Sequence, residues 1–416
     1  MSVLIILTEA VLLFYGTQLF PLGGKLDKLR FICFGLIIFS SFFLSPKFKL
    51  RTPKWLDFVA LVILFLAYVS CFYSFDPQLT FLRSTANLLM YIAIFWILWF
   101  SCKNSLRVQH YVYALLFVWI IFYGVNIIFL FLRPQDSFQI HEWELSSVYQ
   151  RFNGITGNPN TISLFSTIIL PLVIWNFGKR KSLLNLFFLV SVVFSFFYSF
   201  SRDAIICSIV GSSIYFYLST KGHRIFIIIY AVFAIVFTIT YAELFKFFLP
   251  AGLIRTDNLM FLGGRIEAWQ AALELIRQHP WRGYGFGLED FLFEKFHYVF
   301  EIHAGGMVHN SFLGFALQIG WIAPIVFYSA LLIFLTTSFR KLLKLDSQFQ
   351  SLMNALYASI VSGVLISLFE SWIYSAGGIL SFPFFIFIMF LLRLLDFEKN
   401  MVKPSSLQSN LEYVSG

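Results

Sequence analysis

The chain has 416 residues, of which 59% are hydrophobic and only 12% are charged, and its mean hydropathy is +0.80. Soluble globular domains carry roughly 25% charged residues, so this composition excludes a soluble protein and indicates one embedded in lipid. The apolar stretches are continuous and do not alternate, which predicts membrane-spanning helices and not barrel strands. The formal net charge of +9 arises from basic residues clustered in short loops between these stretches, so we expect no binding to nucleic acid.

Twelve apolar runs approach the ~20 residues that a helix needs to cross a bilayer. In chain order they cover residues 2–20, 29–45, 55–74, 85–101, 109–132, 160–177, 183–200, 203–219, 225–249, 310–337, 350–374 and 379–395. An even number of spans places both termini on one side, and most basic loops share that side, which predicts cytoplasmic termini. The loop over residues 24–30 departs from this pattern, because it carries three basic residues yet lies outside in the predicted topology.

This topology divides the chain into five segments. They are N-terminal helices in 1–132, central helices in 133–249 with an outer loop over 133–160, a large outer loop over 250–310, C-terminal helices in 311–398, and a polar cytoplasmic tail over 399–416 that we expect to be disordered. Five of the seven histidines lie in the two outer loops, and we therefore expect the chemistry of the protein on the outer face.

The large outer loop contains a predicted amphipathic helix that begins at Arg265. Ile266, Trp269, Leu273 and Ile276 recur at helical spacing, so we expect this helix to lie on the outer membrane surface. Arginine is unfavourable for the dipole at a helix start, so helix electrostatics do not explain Arg265. Contact with an anionic ligand and contact with lipid headgroups are both consistent with it.

A glycine-rich turn follows this helix, with Pro280 and then Gly283, Gly285 and Gly287 at alternate positions. Such a turn is able to present N–H groups to a phosphate, and it is equally able to serve as a plain tight loop.

His309 and Asn310 come immediately before an apolar run, where the large outer loop re-enters the membrane. A histidine titrates near neutral pH and can act as a general base. The alternative is a structural histidine that caps the helix or pairs with a lipid headgroup.

Two further arginines lie beside short polar breaks. Arg202 occupies the turn over 199–203, where it needs a partner, either the neighbouring Asp203 or an anionic substrate. Arg151 precedes a turn that ends at Asn160, the predicted N-cap of the sixth span, and it serves either that turn or an anion.

Five short motifs thus follow one another in chain order. They are Asn158-Pro159-Asn160, Ser201-Arg202, Arg265 with Trp269, Pro280 with Gly283, Gly285 and Gly287, and His309-Asn310 with Phe312 and Leu313. This set resembles the bacterial O-antigen ligase and O-antigen polymerase superfamily over about residues 151–325, and the all-α layout of about twelve transmembrane helices agrees with that resemblance over the full length.

The resemblance implies an inverting glycosyl transfer, without metal or cofactor, on the periplasmic face of the bacterial cytoplasmic (inner) membrane. The donor would be a glycan on undecaprenyl pyrophosphate, and the acceptor hydroxyl would belong to lipid A-core or to a lipid-linked repeat. Arg202 and Arg265 would hold the pyrophosphate, and His309 would take the proton of the acceptor hydroxyl. The supporting residues that the resemblance implies are Arg151, Asn160, Trp269, Gly283, Gly285 and Asn310.

A transporter or flippase of lipid-linked oligosaccharide is the alternative function, and the number of spans alone favours it. Such a protein should place ionisable residues in the middle of the membrane around a central site. Glu9 and Glu370 are the candidates for that role in this sequence.

Overall fold

The computed structural model describes residues 1–15, 17–19, 29–44, 54–143, 147–220, 265–300, 306–375 and 377–401, together with five positions between 225 and 232. These residues are mostly helical. The helices are α1 Ser2–Tyr15, α2 Leu29–Leu44, α3 Trp55–Val69, α4 Pro77–Tyr91, α5 Ser105–Leu132, α6 Pro159–Lys179, α7 Leu183–Tyr198, α8 Arg202–Ser219, α9 Arg265–Gln278, α10 Glu289–Lys295, α11 Ser311–Ile319, α12 Ile322–Lys344, α13 Gln350–Ser367 and α14 Ser381–Met401.

Several helices are long and apolar enough to cross a membrane, which confirms a helical membrane protein. In the described part of the chain six reach that length, namely Trp55–Phe72, Pro77–Ser101, Ser105–Leu132, Pro159–Lys179, Ile322–Lys344 and Gln350–Ser367. The first two are α3 with the 3-10 turn Ser70–Phe72 that follows it, and α4 with the π-helical segment Ile92–Leu98 and the short helix Trp99–Ser101. Shorter apolar helices cover Ser2–Phe14, Leu29–Ser40 and Leu183–Tyr198. The count of twelve spans stays a prediction, and the predicted span over 225–249 and the tail beyond 401 fall almost entirely outside the described residues.

The centre of the bundle consists of α6, α8 and α13, which pack against one another. Small residues allow this close approach, because a methyl group on Gly211 of α8 would overlap the Ser362 hydroxyl of α13. The Thr167 hydroxyl of α6 also donates to the Ala204 carbonyl of α8 at 3.2 Å. Because α6 and α8 begin where α13 ends, these three termini meet at one end of the bundle.

The predicted span over 310–337 is wrong as a single helix. It consists of α11 and α12, which are separated at Gly320, where φ is +81°. The Trp321 N–H donates to the Pro280 carbonyl at 2.9 Å, and a methyl group on Gly320 would overlap the Trp281 backbone. The glycine-rich loop therefore packs its own backbone against the break, an arrangement that hydropathy cannot reveal.

Two of the intervals between predicted spans contain regular structure. Residues Phe138–Trp143 and Ser147–Phe152 form an antiparallel hairpin in the loop over 133–160, with Phe138 opposite Phe152. The interval between the predicted spans over 55–74 and 85–101 is helical from Pro77, because proline suits the first helical turn and the Asp76 carboxylate accepts the Leu79 N–H at 2.9 Å.

Helix α9 covers Arg265–Gln278, directly after residues that lie outside the described part of the chain. Its buried face consists of Ala268, Ala271, Ala272, Leu275 and Ile276, which pack against α10 and α11. Of the four apolar residues predicted to form that face, only Ile276 is fully buried. The helix instead packs through its alanines, because their small side chains allow its backbone to lie closer to the neighbouring helices. The location of α9 on the membrane surface stays a prediction.

Candidate functional site

A buried carboxylate, Glu370, lies where the termini of α6, α8 and α13 meet. Arg265 Nη2 donates to Glu370 Oε1 at 2.6 Å, and His309 Nδ1 lies 2.6 Å from Glu370 Oε2. The Asn160 amide donates to Oε1 at 3.4 Å. The exposed fraction of the Glu370 side chain is only 8%, so Glu370 joins three predicted site residues inside the protein.

Arg265 contacts a second carboxylate. Its Nη2 lies 3.2 Å from Asp203 Oδ2, and the Ser201 hydroxyl donates to Asp203 Oδ1 at 2.7 Å. In the sequence, Asp203 is one possible partner of Arg202. In the structure, Asp203 pairs with Arg265 of the predicted large outer loop. Arg202 is half-buried at the first position of α8, directly before Asp203, and this backbone position brings it to the same end of the bundle.

His309 has a backbone conformation that is uncommon for a residue with a side chain, since its φ is +53°. Asn310 follows it and caps α11 by accepting the Leu313 N–H at 3.0 Å. The Asn310 amide donates to the Leu368 carbonyl at 2.9 Å, and its backbone N–H donates to the Ser371 hydroxyl at 3.1 Å. Strained backbone persists only where its surroundings hold it, and here those bonds fix the imidazole against Glu370.

Two opposing effects determine the pKa of His309. Burial disfavours the charged imidazolium, but the Glu370 carboxylate outweighs burial through its charge and its hydrogen bond, so the pKa of His309 is raised above its usual value. A histidine that shares a proton with a buried carboxylate is suited to accept a second proton at its other ring nitrogen.

A second buried acid, Glu289 of α10, lies behind this histidine. Its Oε1 accepts the Val308 N–H at 2.7 Å and the Ser371 hydroxyl at 2.6 Å, and its Oε2 accepts the Tyr374 hydroxyl. Burial raises the pKa of Glu289 to about 7, although the hydrogen bonds from Ser371 and Val308 favour the carboxylate.

Arg151 and Asn160 form an outer layer around Glu370. Arg151 Nη2 donates to the Asn160 side-chain oxygen at 2.7 Å, and Arg151 Nε donates to the Ser199 carbonyl at 2.7 Å. The N-cap of α6 is Asn158 and not Asn160 as predicted, because Pro159 takes the first helical position and the Asn158 side chain accepts the Asn160 N–H. The Asn160 side chain is therefore left to contact Glu370.

The glycine-rich turn uses its N–H groups within the protein. Those of Gly283 and Gly285 donate to the His279 and Gln318 carbonyls at 3.0 and 2.9 Å, and that of Gly287 donates to the Gln318 side chain at 2.5 Å. These bonds favour the tight-loop alternative over a phosphate-binding turn. Trp269 is half-buried and packs against the apolar cluster between α9, α10 and α11.

A polar cavity of about 550 Å³ opens beside this cluster. Asn160, Glu289, His309 and Glu370 line one part of it. Elsewhere in the wall, Arg83 binds Asp290 through two hydrogen bonds of 2.8 and 3.1 Å. The cavity also reaches Arg30, which belongs to the basic loop that departs from the positive-inside pattern.

An apolar groove adjoins the polar cavity and has a volume of about 130 Å³. One face each of α3, of the Pro77–Ser101 helix and of α12 lines it. Asn87, Phe286 and Tyr374 border both the groove and the polar cavity, so the two spaces lie side by side.

Residues 186–328 match the family model described as O-antigen ligase. This match supports the O-antigen ligase and polymerase superfamily. A search of curated proteins found no match.

The O-antigen ligase match contains Arg202, Arg265, Glu289 and His309, whereas Asn160 and Glu370 lie outside it. The structure therefore completes the cluster with residues from both sides of the matched region.

Sequence patterns did not single out Glu289, and they assigned Glu370 to the transporter alternative. Glu370 fell within the predicted span over 350–374, but α13 ends at Ser367, so the carboxylate lies in the connection beyond the helix. The only indication of Glu370 as a site residue in the sequence was its position as a charged residue near the end of an apolar run. No group of three or more His, Cys, Asp or Glu side chains suited to a metal ion occurs within the described ranges, and the metal-independent site stays a prediction.

Proposed function

We propose that this membrane protein of the O-antigen ligase superfamily transfers a glycan from undecaprenyl pyrophosphate to the hydroxyl of an acceptor sugar, with inversion and without a metal or cofactor. The observation that carries the proposal is the Glu370 carboxylate, which lines the polar cavity together with a base, His309, and binds a cation, Arg265. The family match supports a glycosyltransferase-type enzyme.

Arg265, with Arg202 beside it in the proposed site, would hold the pyrophosphate of the donor. A guanidinium stays charged at all relevant pH values and binds phosphate oxygens through two parallel hydrogen bonds. As the bond from the anomeric carbon to the phosphate oxygen breaks, its electron pair moves to the pyrophosphate, and the cations stabilise that developing charge. Two carboxylates hold Arg265 in place before any donor binds.

His309 would activate the acceptor. Glu370 binds Nδ1, so in this proposal Nε2 is the nitrogen that acts on the acceptor hydroxyl. The hydroxyl oxygen attacks the anomeric carbon opposite the pyrophosphate, its proton passes to Nε2, and the carboxylate stabilises the resulting imidazolium. Attack from the face opposite the leaving group inverts the anomeric configuration.

The shape of the surrounding space supports a lipid-linked donor. The polar cavity, with its hydroxyl, amide and ion-pair lining, suits a sugar, and the apolar lining of the adjoining groove suits the first isoprene units of the chain that anchors the donor in the membrane. The acceptor, either lipid A-core or a lipid-linked repeat, would approach the same cavity from the outer face.

The transporter alternative draws on Glu9 and Glu370. Glu370 takes part in the cluster with Arg265 and His309, and Glu9 accepts the Trp119 indole N–H at 2.7 Å inside the N-terminal helices. Neither set of contacts requires a translocation pathway.

Deleting the gene for this chain is expected to remove long-chain surface glycan, and a gel of that glycan checks the result. Single-repeat glycan on its final acceptor would identify a polymerase, and polymer left on the lipid carrier would identify a ligase. Purified protein given lipid-linked glycan and acceptor should release undecaprenyl pyrophosphate. An unchanged glycan profile, or no release of undecaprenyl pyrophosphate, would count against the enzyme.

The rate of transfer should rise with pH through the raised pKa of His309, because only the neutral imidazole accepts a proton. Glu370→Gln removes the charge that raises this pKa and leaves the effect of burial, so the acid limb of the pH–rate profile should move to lower pH. The maximum rate should fall by roughly 10²–10⁴-fold, because the amide no longer stabilises the imidazolium. An acid limb that stays at the same pH would show that another group titrates.

A further inference from the structure

We propose that Glu289 is a positioning residue for the transfer reaction. It keeps the His309 imidazole and the Glu370 carboxylate in contact by binding the backbone next to His309 and the side chain next to Glu370. The inference rests on the proposed function and concerns a residue to which no role in it has been assigned.

The hydrogen bonds of Glu289 reach both halves of the pair. Val308, whose N–H donates to Glu289 Oε1 at 2.7 Å, directly precedes His309. Ser371, whose hydroxyl donates to the same oxygen at 2.6 Å, directly follows Glu370. One carboxylate oxygen therefore connects the two segments that carry the base and its carboxylate partner.

Ser371 makes the connection a closed ring. Its hydroxyl accepts the backbone N–H of Asn310 at 3.1 Å while it donates to Glu289. The backbone of His309 is thus held from the residue before it by Glu289 and from the residue after it by Ser371. A φ of +53° costs free energy in any residue with a side chain, and these two bonds act with those of the Asn310 side chain to hold that conformation.

The other oxygen of Glu289 anchors the ring to the fold. It accepts the Tyr374 hydroxyl, and Gly314 of α11 leaves the space for this contact, since a methyl group there would overlap that hydroxyl. Glu289 is only 3% exposed, and the three donors that surround it occupy both of its oxygens. Displacing the carboxylate would therefore release the segments before His309 and after Glu370 together.

The test compares Glu289→Ala, Glu289→Gln and Ser371→Ala with Glu294→Ala, which removes an exposed glutamate from the same helix α10. In purified protein, Glu289→Ala should lower kcat by roughly 10²-fold, because a misplaced base loses rate even when substrates still bind. Glu289→Gln should retain most of the rate, since its amide oxygen still accepts the Val308 N–H and the Ser371 hydroxyl. Ser371→Ala should give an intermediate loss, and Glu294→Ala none.

The KM for the lipid-linked donor separates positioning from a general structural role. We expect it to change less than about threefold in all four variants, because the guanidinium of Arg265 stays in place. If Glu289→Gln is as inactive as Glu289→Ala, the charge itself acts in the reaction and the positioning role is wrong. Full activity in Glu289→Ala, or a loss that appears in KM and not in kcat, also overturns it.

The wild-type and Glu294→Ala reactions keep this test distinct from the test of the proposed function. If neither transfers glycan from any lipid-linked donor, the proposed function fails. If both do while Ser371→Ala and Glu289→Ala remain fully active, only the role of Glu289 fails. Should Glu289→Ala not fold, Ser371→Ala decides by itself, because full kcat in that variant overturns the role.

Discussion

Replacing His309 with asparagine is expected to lower the rate of glycan transfer by roughly 10²–10⁴-fold, because the acceptor hydroxyl loses the group that takes its proton. Asparagine is the preferred substitution, since it tolerates the positive φ of this position better than most residues and leaves the capping of α11 by Asn310 in place. The loss should appear in kcat, with the donor bound as in the wild type, and release of undecaprenyl pyrophosphate measures it.

The sequence contains a matched control for this variant. His297 lies in the same outer loop, has a φ of +58° and is exposed, so His297→Asn makes the same chemical change in a similar backbone conformation away from the cavity. We expect it to keep the wild-type rate. Equal activity in His309→Asn and His297→Asn would show that His309 is not the base.

Removing Arg265 is expected to have two separable consequences. Arg265→Ala should lower the transfer rate by roughly 10²–10³-fold, because charge on the departing pyrophosphate is no longer stabilised. It should also destabilise the fold by about 3–5 kcal/mol, since Asp203 and Glu370 are left buried without their shared cation. The rate of transfer and thermal unfolding in detergent measure the two effects.

A compensated variant separates catalysis from stability. In Arg265→Ala combined with Asp203→Asn, the unpaired charge of Asp203 is removed and Glu370 keeps His309 as its partner, so much of the lost stability should return while the activity stays lost. Arg277→Ala, at the exposed end of the same helix, is the control and should behave as the wild type in both measurements. If activity returned together with stability in the compensated variant, Arg265 would be a structural residue.

The helical membrane class could be predicted because it depends on composition alone. A chain with few charges and long apolar runs has to satisfy its backbone within helices, whatever the detailed packing. The apolar residues that recur at helical spacing after Arg265 also favoured a helix there, and α9 covers Arg265–Gln278. The face that α9 buries could not be predicted, since it depends on which neighbouring helices lie close enough to pack against its alanines.

The residues of the site were predicted one by one, but their partners were not. Short motifs singled out Arg265 and His309 separately, and no spacing in the chain relates either of them to Glu370, which lies 105 and 61 residues away, respectively. The same limit applies to Glu289, whose carboxylate is unremarkable in the sequence and becomes informative only through the donors that surround it.

The sequence by itself therefore determined that this is a helical membrane protein with arginines and a histidine beside polar breaks between its apolar runs, because hydropathy and local spacing are properties of neighbouring residues. Only the tertiary structure decided that Arg265 and His309 share one buried carboxylate, that Asp203 pairs with Arg265, and that the predicted span over 310–337 breaks at Gly320. Each of these features depends on contacts between segments that are distant in the chain, and packing in three dimensions selects such contacts.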